Sequence, residues 1–233
     1  MALYDRDYAQ AGTTGYESAT RNEAQIVTFV KDTYKLFAAS MMAGAVGAYV
    51  GVPMAATLHA YFWPLVILEI GLLIGLQFVK HKPGINLMVM FGFVFMTGLM
   101  TAPLIARTLG FAGGATIIGN AFAMTSVVFG AMSFYAIKTT KDFTSYGKPL
   151  MIAMFVILGF SIVNIFLGNP LLMVAISGAV VVLFSIMVIY DTQNIMAGNY
   201  ETPIDGAIAL YLDFLNIFTA LLQLFGIFGN SDD

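Results

Sequence analysis

The chain has 233 residues, 59% of them hydrophobic and only 10% charged, and its mean hydropathy is +0.86. Ordinary soluble domains are about one-quarter charged, so this composition describes an integral membrane protein with no room for a sizeable soluble domain. The absence of cysteine excludes disulfides, thiolate metal sites and cysteine catalysis, and the net charge of −3 conceals a segregation of basic residues into a few loops.

Residues 1–32 are polar and lack the apolar core of a signal peptide, so the first hydrophobic helix must itself direct insertion. This leader reads as a mobile cytoplasmic tail that turns helical only near its end. Seven apolar stretches follow, at 33–52, 61–79, 85–106, 115–137, 149–168, 171–190 and 207–228. Each is long enough for a hydrocarbon core of ~30 Å, which takes about 20 helical residues to cross. Together they form one membrane domain, 33–228, followed by a short acidic tail, 229–233. Pro53, Lys82-Pro83-Gly84, Gly113-Gly114, Lys148-Pro149 and Gly168-Asn169-Pro170 punctuate the boundaries. Thr202-Pro203-Ile204-Asp205 supplies an N-cap, a first-turn proline and an acid at the positive helix end, so the last helix begins before its apolar part. The expected architecture is all-α with seven transmembrane helices.

Basic residues set the orientation. Arg6, Arg21, Lys31, Lys35, Lys80, Lys82, Lys138, Lys141 and Lys148 share one side of this topology, and Arg107 stands alone on the other. The positive-inside rule then places the amino terminus in the cytoplasm and the carboxyl terminus outside. Tyr49, Tyr61, Phe62 and Trp63 fall at the outer boundary, where aromatic belts sit. Gly47/Gly51 and Gly71/Gly75 have the small-xxx-small spacing that lets helices approach closely.

The polar residues inside these stretches carry the functional signal. A carboxylate in hydrocarbon costs about 2.5 kcal/mol or more even on lenient insertion scales, which makes Asp213 a functional candidate. Asp213, Asn216, Ala220 and Gln223 follow one another at i, i+3, i+7 and i+10. At 100° per residue they span about 80° of the helix, a narrow polar stripe that demands a helix enclosed by its neighbours. Asp191 ends the sixth apolar stretch, at a level within about two turns of Asp213, where a direct or water-bridged contact is expected. Two carboxylates that close share a proton, because both cannot ionise cheaply. Glu69 is a third acid, midway along the second helix. Lys80 follows on nearly the same face, placed either to latch onto Asp191 or to snorkel at the interface. Asn86, Thr97, Asn120 and Asn164 are expected to hydrogen-bond across helices.

Enzyme readings find no support: the sequence lacks a Gly-x-Ser-x-Gly elbow and a His-Glu-x-x-His motif. Leu210-Tyr211-Leu212-Asp213 departs from the Gly-x-Gly-Asp of aspartyl intramembrane proteases, and the last helix has no lysine for retinal. Three segments carry a resemblance. They are Phe129-Gly130-Ala131-Met132-Ser133-Phe134-Tyr135 with Thr139-Thr140-Lys141-Asp142, then Tyr190-Asp191-Thr192-Gln193, then Tyr211-Leu212-Asp213-Phe214-Leu215-Asn216-Ile217-Phe218. In this order and spacing the chain resembles the transmembrane Bax-inhibitor-motif family over essentially all seven helices, and its termini look like those of a bacterial member.

The resemblance implies a central seventh helix surrounded by the other six, and a pH-sensitive calcium leak. The aspartates matching Asp191 and Asp213 would be its sensor and gate, Lys80 the counterpart of a latching base, and Glu69 an acid lining the pathway with Asn216 and Gln223. No cofactor is implied; calcium is the transported ion, met transiently by oxygens of Asp191, Asp213 and Glu69. The partners expected are the lipid bilayer, calcium ions and protons, and, as for bacterial relatives, a membrane-bound ATP-dependent protease; no nucleic acid is expected. A non-conducting regulator of that protease and a proton-coupled calcium exchanger are the competing readings.

Overall fold

The computed structural model describes residues 22–229, which form an all-α bundle with no strand among them. The first helix, α1, runs from Glu23–Gly51, ten residues ahead of the expected start at 33. Its reason is local: the Asn22 side chain accepts from the Gln25 amide and the Gln25 side chain from the Asn22 amide, both at 2.9 Å. This capping box satisfies two of the helix's orphan donors, and no breaker follows before the apolar run. The tails at 1–21 and 230–233 lie outside the described residues.

A 3-10 turn, Val52–Met54, and a short helix, Ala55–Ala60, follow. Then come α2 (Phe62–Val79), α3 (Ile85–Leu109), α4 (Gly114–Lys138), α5 (Gly147–Leu167), α6 (Pro170–Ala197) and α7 (Pro203–Gly229). By length and composition, seven helices among the described residues can cross a membrane. Both helices that carry the candidate acids are longer than their apolar parts. α6 starts under an Asn169 cap whose side chain accepts from Leu171 and Leu172, and it persists past residue 190 to Ala197. α7 starts at Pro203, where the Thr202 amide and hydroxyl both donate to Asp205 and the Asp205 amide returns a bond to Thr202.

α7 is the axis of the bundle. Helices α1, α3, α4 and α6 pack against it, α2 reaches it through Leu72, Leu73 and Leu76, and α5 lies further out on α6. Ile204, Ala207, Leu210, Ile217 and Leu222 of α7 are buried, whereas α2 and α5 turn Ile67, Ile74, Phe78, Ile152, Phe155 and Phe166 outward. An apolar exterior around a helix that carries the polar stripe suits a lipid solvent. Tyr49, Tyr61 and Trp63 are exposed, as an interfacial belt requires.

The two glycine pairs differ. A methyl group added at Gly47 would meet the Phe95 carbonyl, one at Gly51 the Ala102 side chain, and one at Gly98 the Gly44 carbonyl. The backbones of α1 and α3 are therefore in direct contact, which only hydrogen side chains permit. At Gly71 and Gly75 the same addition meets nothing, so that pair packs no helix within the chain. We predict that Gly98→Ala lowers stability in detergent by about 1–3 kcal/mol, because backbone has to move. Gly71→Ala is expected to stay within about 0.5 kcal/mol of the wild type. Thermal denaturation followed by circular dichroism distinguishes the two.

Candidate functional site

The last turns of α6, Tyr190-Asp191-Thr192-Gln193-Asn194, send side chains in every direction, and each finds a partner. Tyr190 lies over Gly147 at the start of α5, where a methyl group would strike its hydroxyl. Thr192 Oγ1 lies 3.5 Å from Ser133 Oγ of α4, and the Thr192 side chain also meets Tyr34 of α1. Gln193 donates to the Lys141 carbonyl at 2.9 Å and accepts from the Phe143 amide at 2.7 Å, which pins the α4–α5 connection. Asn194 accepts from the Asn199 side chain at 2.9 Å. Gly198, with φ +70°, then turns the chain back; glycine takes this left-handed conformation without strain.

Within this frame Asp191 of α6 and Asp213 of α7 are 2% and 1% exposed. Their side chains are hydrogen-bonding neighbours. The Tyr200 hydroxyl donates to Asp191 Oδ1 at 2.6 Å, and Asp213 Oδ2 is buried without any other partner among the described residues. Neither acid has an ion pair there. Two ionised carboxylates in contact at this depth repel strongly, so the arrangement requires a proton or a cation between them.

Lys80 does not latch onto Asp191. Its ammonium lies 2.5 Å from Glu201 and 3.7 Å from Asp205, and it also donates to Gln77 at 3.1 Å. The short 198–202 loop and the first turn of α7 present two carboxylates nearer the surface, and a strongly hydrated ammonium takes these rather than a buried one. His81 Nε2 lies 2.6 Å from the other Glu201 oxygen. The bond from Lys80, and then that from His81, hold the Glu201 carboxyl below its ordinary value, and the Glu201 bond holds the Lys80 ammonium above its own. Burial, then the facing Asp191 charge, pushes the Tyr200 phenol far up, so it stays protonated as a donor. A cavity of about 420 Å³ opens over this cluster, lined by Gln77, Lys80, Asn199, Tyr200 and Asp205 among others.

The other expected site residues are spread out. Glu69 is half-buried on α2 and acts electrostatically on Tyr211 rather than joining the pair. The Tyr211 hydroxyl lies 2.5 Å from Thr97 Oγ1 and donates to the Val94 carbonyl at 3.1 Å. Asn216 donates back to Leu212 of its own helix at 2.7 Å. Gln223 accepts from Ser177 of α6 at 3.0 Å and borders a cavity of about 170 Å³ with Arg107 and Thr108. Asp191, Asp213 and Glu69 thus do not form one ligand set, and no group of three His, Cys, Asp or Glu side chains among the described residues is placed to hold a metal ion. Of the remaining polar groups, Asn86 donates to the Lys80 carbonyl, Asn164 accepts from the Asn169 amide, and Asn120 is exposed. Only Thr97 bonds across helices as expected.

Tyr200 and Glu201 were not foreseen from the sequence. The available signal was the shortness of the segment between the end of α6 and the Thr202 cap, which leaves an aromatic ring there little choice but to lie on the helix ends.

Comparison with known proteins agrees with this architecture. The family model described as inhibitor of apoptosis-promoting Bax1 matches residues 26–230. An uncharacterized protein of Campylobacter jejuni is 46% identical over 228 residues, covering 96% of this chain and 97% of that protein. An uncharacterized protein of Helicobacter pylori is 45% identical over 233 residues, the whole of both chains. The inner membrane protein YbhL of Escherichia coli is 29% identical over 230 residues, covering 90% of this chain and 96% of YbhL. A match that takes in nearly all of the seven helices makes this multi-pass membrane protein a member of the Bax1-inhibitor family.

Proposed function

We propose that the protein is a pH-sensitive calcium leak of the cell inner membrane, with Asp191 and Asp213 as its sensor and gate. The observation that carries this reading is the meeting of two buried carboxyl groups that no Lys, Arg or His side chain pairs with among the described residues. A pair bridged by one proton is closed and carries a single shared negative charge. Once the proton leaves, two like charges in contact drive the ends of α6 and α7 apart and offer oxygen ligands to a hard divalent cation. Protons and calcium then compete for one site. The basic loops lie at the Asp191 end, which supports a cytoplasmic side for that end and for the amino terminus.

Calcium flux into proteoliposomes across pH 5 to 8 tests the proposal. Wild-type flux rises with pH, by up to about tenfold per unit where the pair loses its proton. Asp213→Asn keeps a polar partner for Asp191 but removes the second charge, so its flux stays low and flat across the range. A profile unchanged by this substitution overturns the proposal. Calcium movement in fixed ratio to opposing proton movement identifies an exchanger instead.

The Lys80–Glu201 contact gives a second expectation. Glu201 titrates below its ordinary value of 4.5 and Lys80 above its ordinary value of 10.5. The Glu201 contribution is present above 4.5 and fades as acid passes its lowered value, while the Lys80 contribution is present below 10.5 and fades only above its raised value. The interval from pH 5 to 8 lies wholly inside this window. The Lys80–Glu201 bond therefore does not itself titrate over that interval, and a change in spin-label distance between the end of α2 and the 198–202 loop that is present in the wild type and smaller in Asp213→Asn arises from the aspartate pair.

A further inference from the structure

The 198–202 loop is tied down residue by residue. The Asn199 amide donates to the Asn194 carbonyl and its side chain to the Asn194 side chain. Glu201 meets Lys80 and His81, and Thr202 exchanges bonds with Asp205. These ties lie on the surface or at a helix end. The Tyr200 tie is different, because its hydroxyl reaches a carboxyl group that is 2% exposed.

That bond has a direction. A phenol that stays protonated gives its one hydrogen to Asp191 Oδ1, so Asp191 is the acceptor. Asp213 Oδ2 has no partner of its own among the described residues, and the Asp213 side chain faces Asp191. The remaining hydrogen in the contact therefore runs from Asp213 to Asp191, which gives Asp191 two donors. The groups around this centre do not reverse the polarity. Tyr190 and Tyr34 contribute phenol hydroxyls from α6 and α1, and α4 contributes the uncharged Ser133. Lys80 and His81 at the end of α2 are engaged by Glu201, with Asp205 of α7 beside Lys80.

We propose that Tyr200 is the positioning residue of the aspartate pair. By donating to Asp191 it fixes Asp191 as the acceptor and Asp213 as the carrier of the shared proton, and it makes the seating of the 198–202 loop depend on the charge of Asp191. The loop is thereby a reporter of the pair, and keeps its place along the cavity beside Lys80 only while Asp191 accepts. The inference rests on the pair being the pH-responsive site, but the seating of the loop is measurable without any flux.

Hydrogen exchange of the 198–202 amides, measured at pH 7 in nanodiscs, tests this in four proteins: wild type, Tyr200→Phe, Asp191→Asn and Asp213→Asn. Tyr200→Phe keeps the ring and removes one hydroxyl, so it is expected to fold. A bond to a charged acceptor is worth about ten- to a hundredfold in a local equilibrium. Exchange accordingly rises by about that factor in Tyr200→Phe and Asp191→Asn, and stays at the wild-type rate in Asp213→Asn. In the calcium-flux assay Tyr200→Phe moves the midpoint of the pH profile upward by about one to two units, because the ionised acid has lost a donor. Equal exchange in Asp213→Asn and Asp191→Asn overturns the donor and acceptor assignment. Wild-type exchange together with an unshifted midpoint in Tyr200→Phe overturns the positioning role. A flux with no pH dependence in the wild type removes the proposed function, and the exchange rates still decide the role of Tyr200.

Discussion

Two carboxyl groups touch inside a bundle whose outer surface is apolar, and most of the architecture is arranged around the cost of that contact. An isolated acid in hydrocarbon costs several kcal/mol, and a pair costs more unless a proton or cation joins them. The helix carrying Asp213 is accordingly the axis, enclosed by α1, α3, α4 and α6. The turn carrying Asp191 is fastened to α4, α5 and the following loop by its neighbours Tyr190, Thr192, Gln193 and Asn194. Those four residues contribute little hydrophobic burial. They fix the rotation of α6 so that the one acid among them faces Asp213.

The path suggested by the polar stripe on α7 is interrupted. Asp213 and Gln223 reach across to α6, but Asn216 bonds its own backbone and Ala220 offers no polar atom. Between the two ends the surroundings of α7 are Ile217, Phe218, Leu221 and Leu222 packed on Leu183 and Phe184. The middle of α7 is thus packed by apolar side chains. The far end has a different character: a cavity edged by Arg107 rather than by acids.

Much of this was readable in the chain. The seven apolar runs, their glycine and proline punctuation, the Thr202–Asp205 cap and the two acids follow from hydropathy and turn chemistry, and the levels of Asp191 and Asp213 from the helical rise alone. Hydropathy does not report where helical hydrogen bonding stops, so α1 and α6 run past their apolar parts under the control of Asn22, Gln25 and the partners of Asn194. Nor does helical spacing name a partner. Lys80 lay on a plausible face for Asp191, yet Glu201 and Asp205 are closer to it and easier to reach. Glu69 lies midway along α2 and joins no cluster of acids among the described residues, and small-xxx-small spacing marked both the tight α1–α3 seam and the open face of α2. The role of Tyr200 is tertiary and has no motif.

The connection between α6 and α7 is short enough to make the two helices one antiparallel hairpin. Their acids lie on its two arms, close to the bend, so the contact between them closes only a small loop of chain and costs little entropy. This bears on biogenesis. Either arm entering the bilayer alone carries an acid with nothing to share its proton, whereas the hairpin brings the two together at the bend as it inserts. The same juxtaposition that we propose as a switch in the finished bundle eases the passage of its most polar helix into lipid.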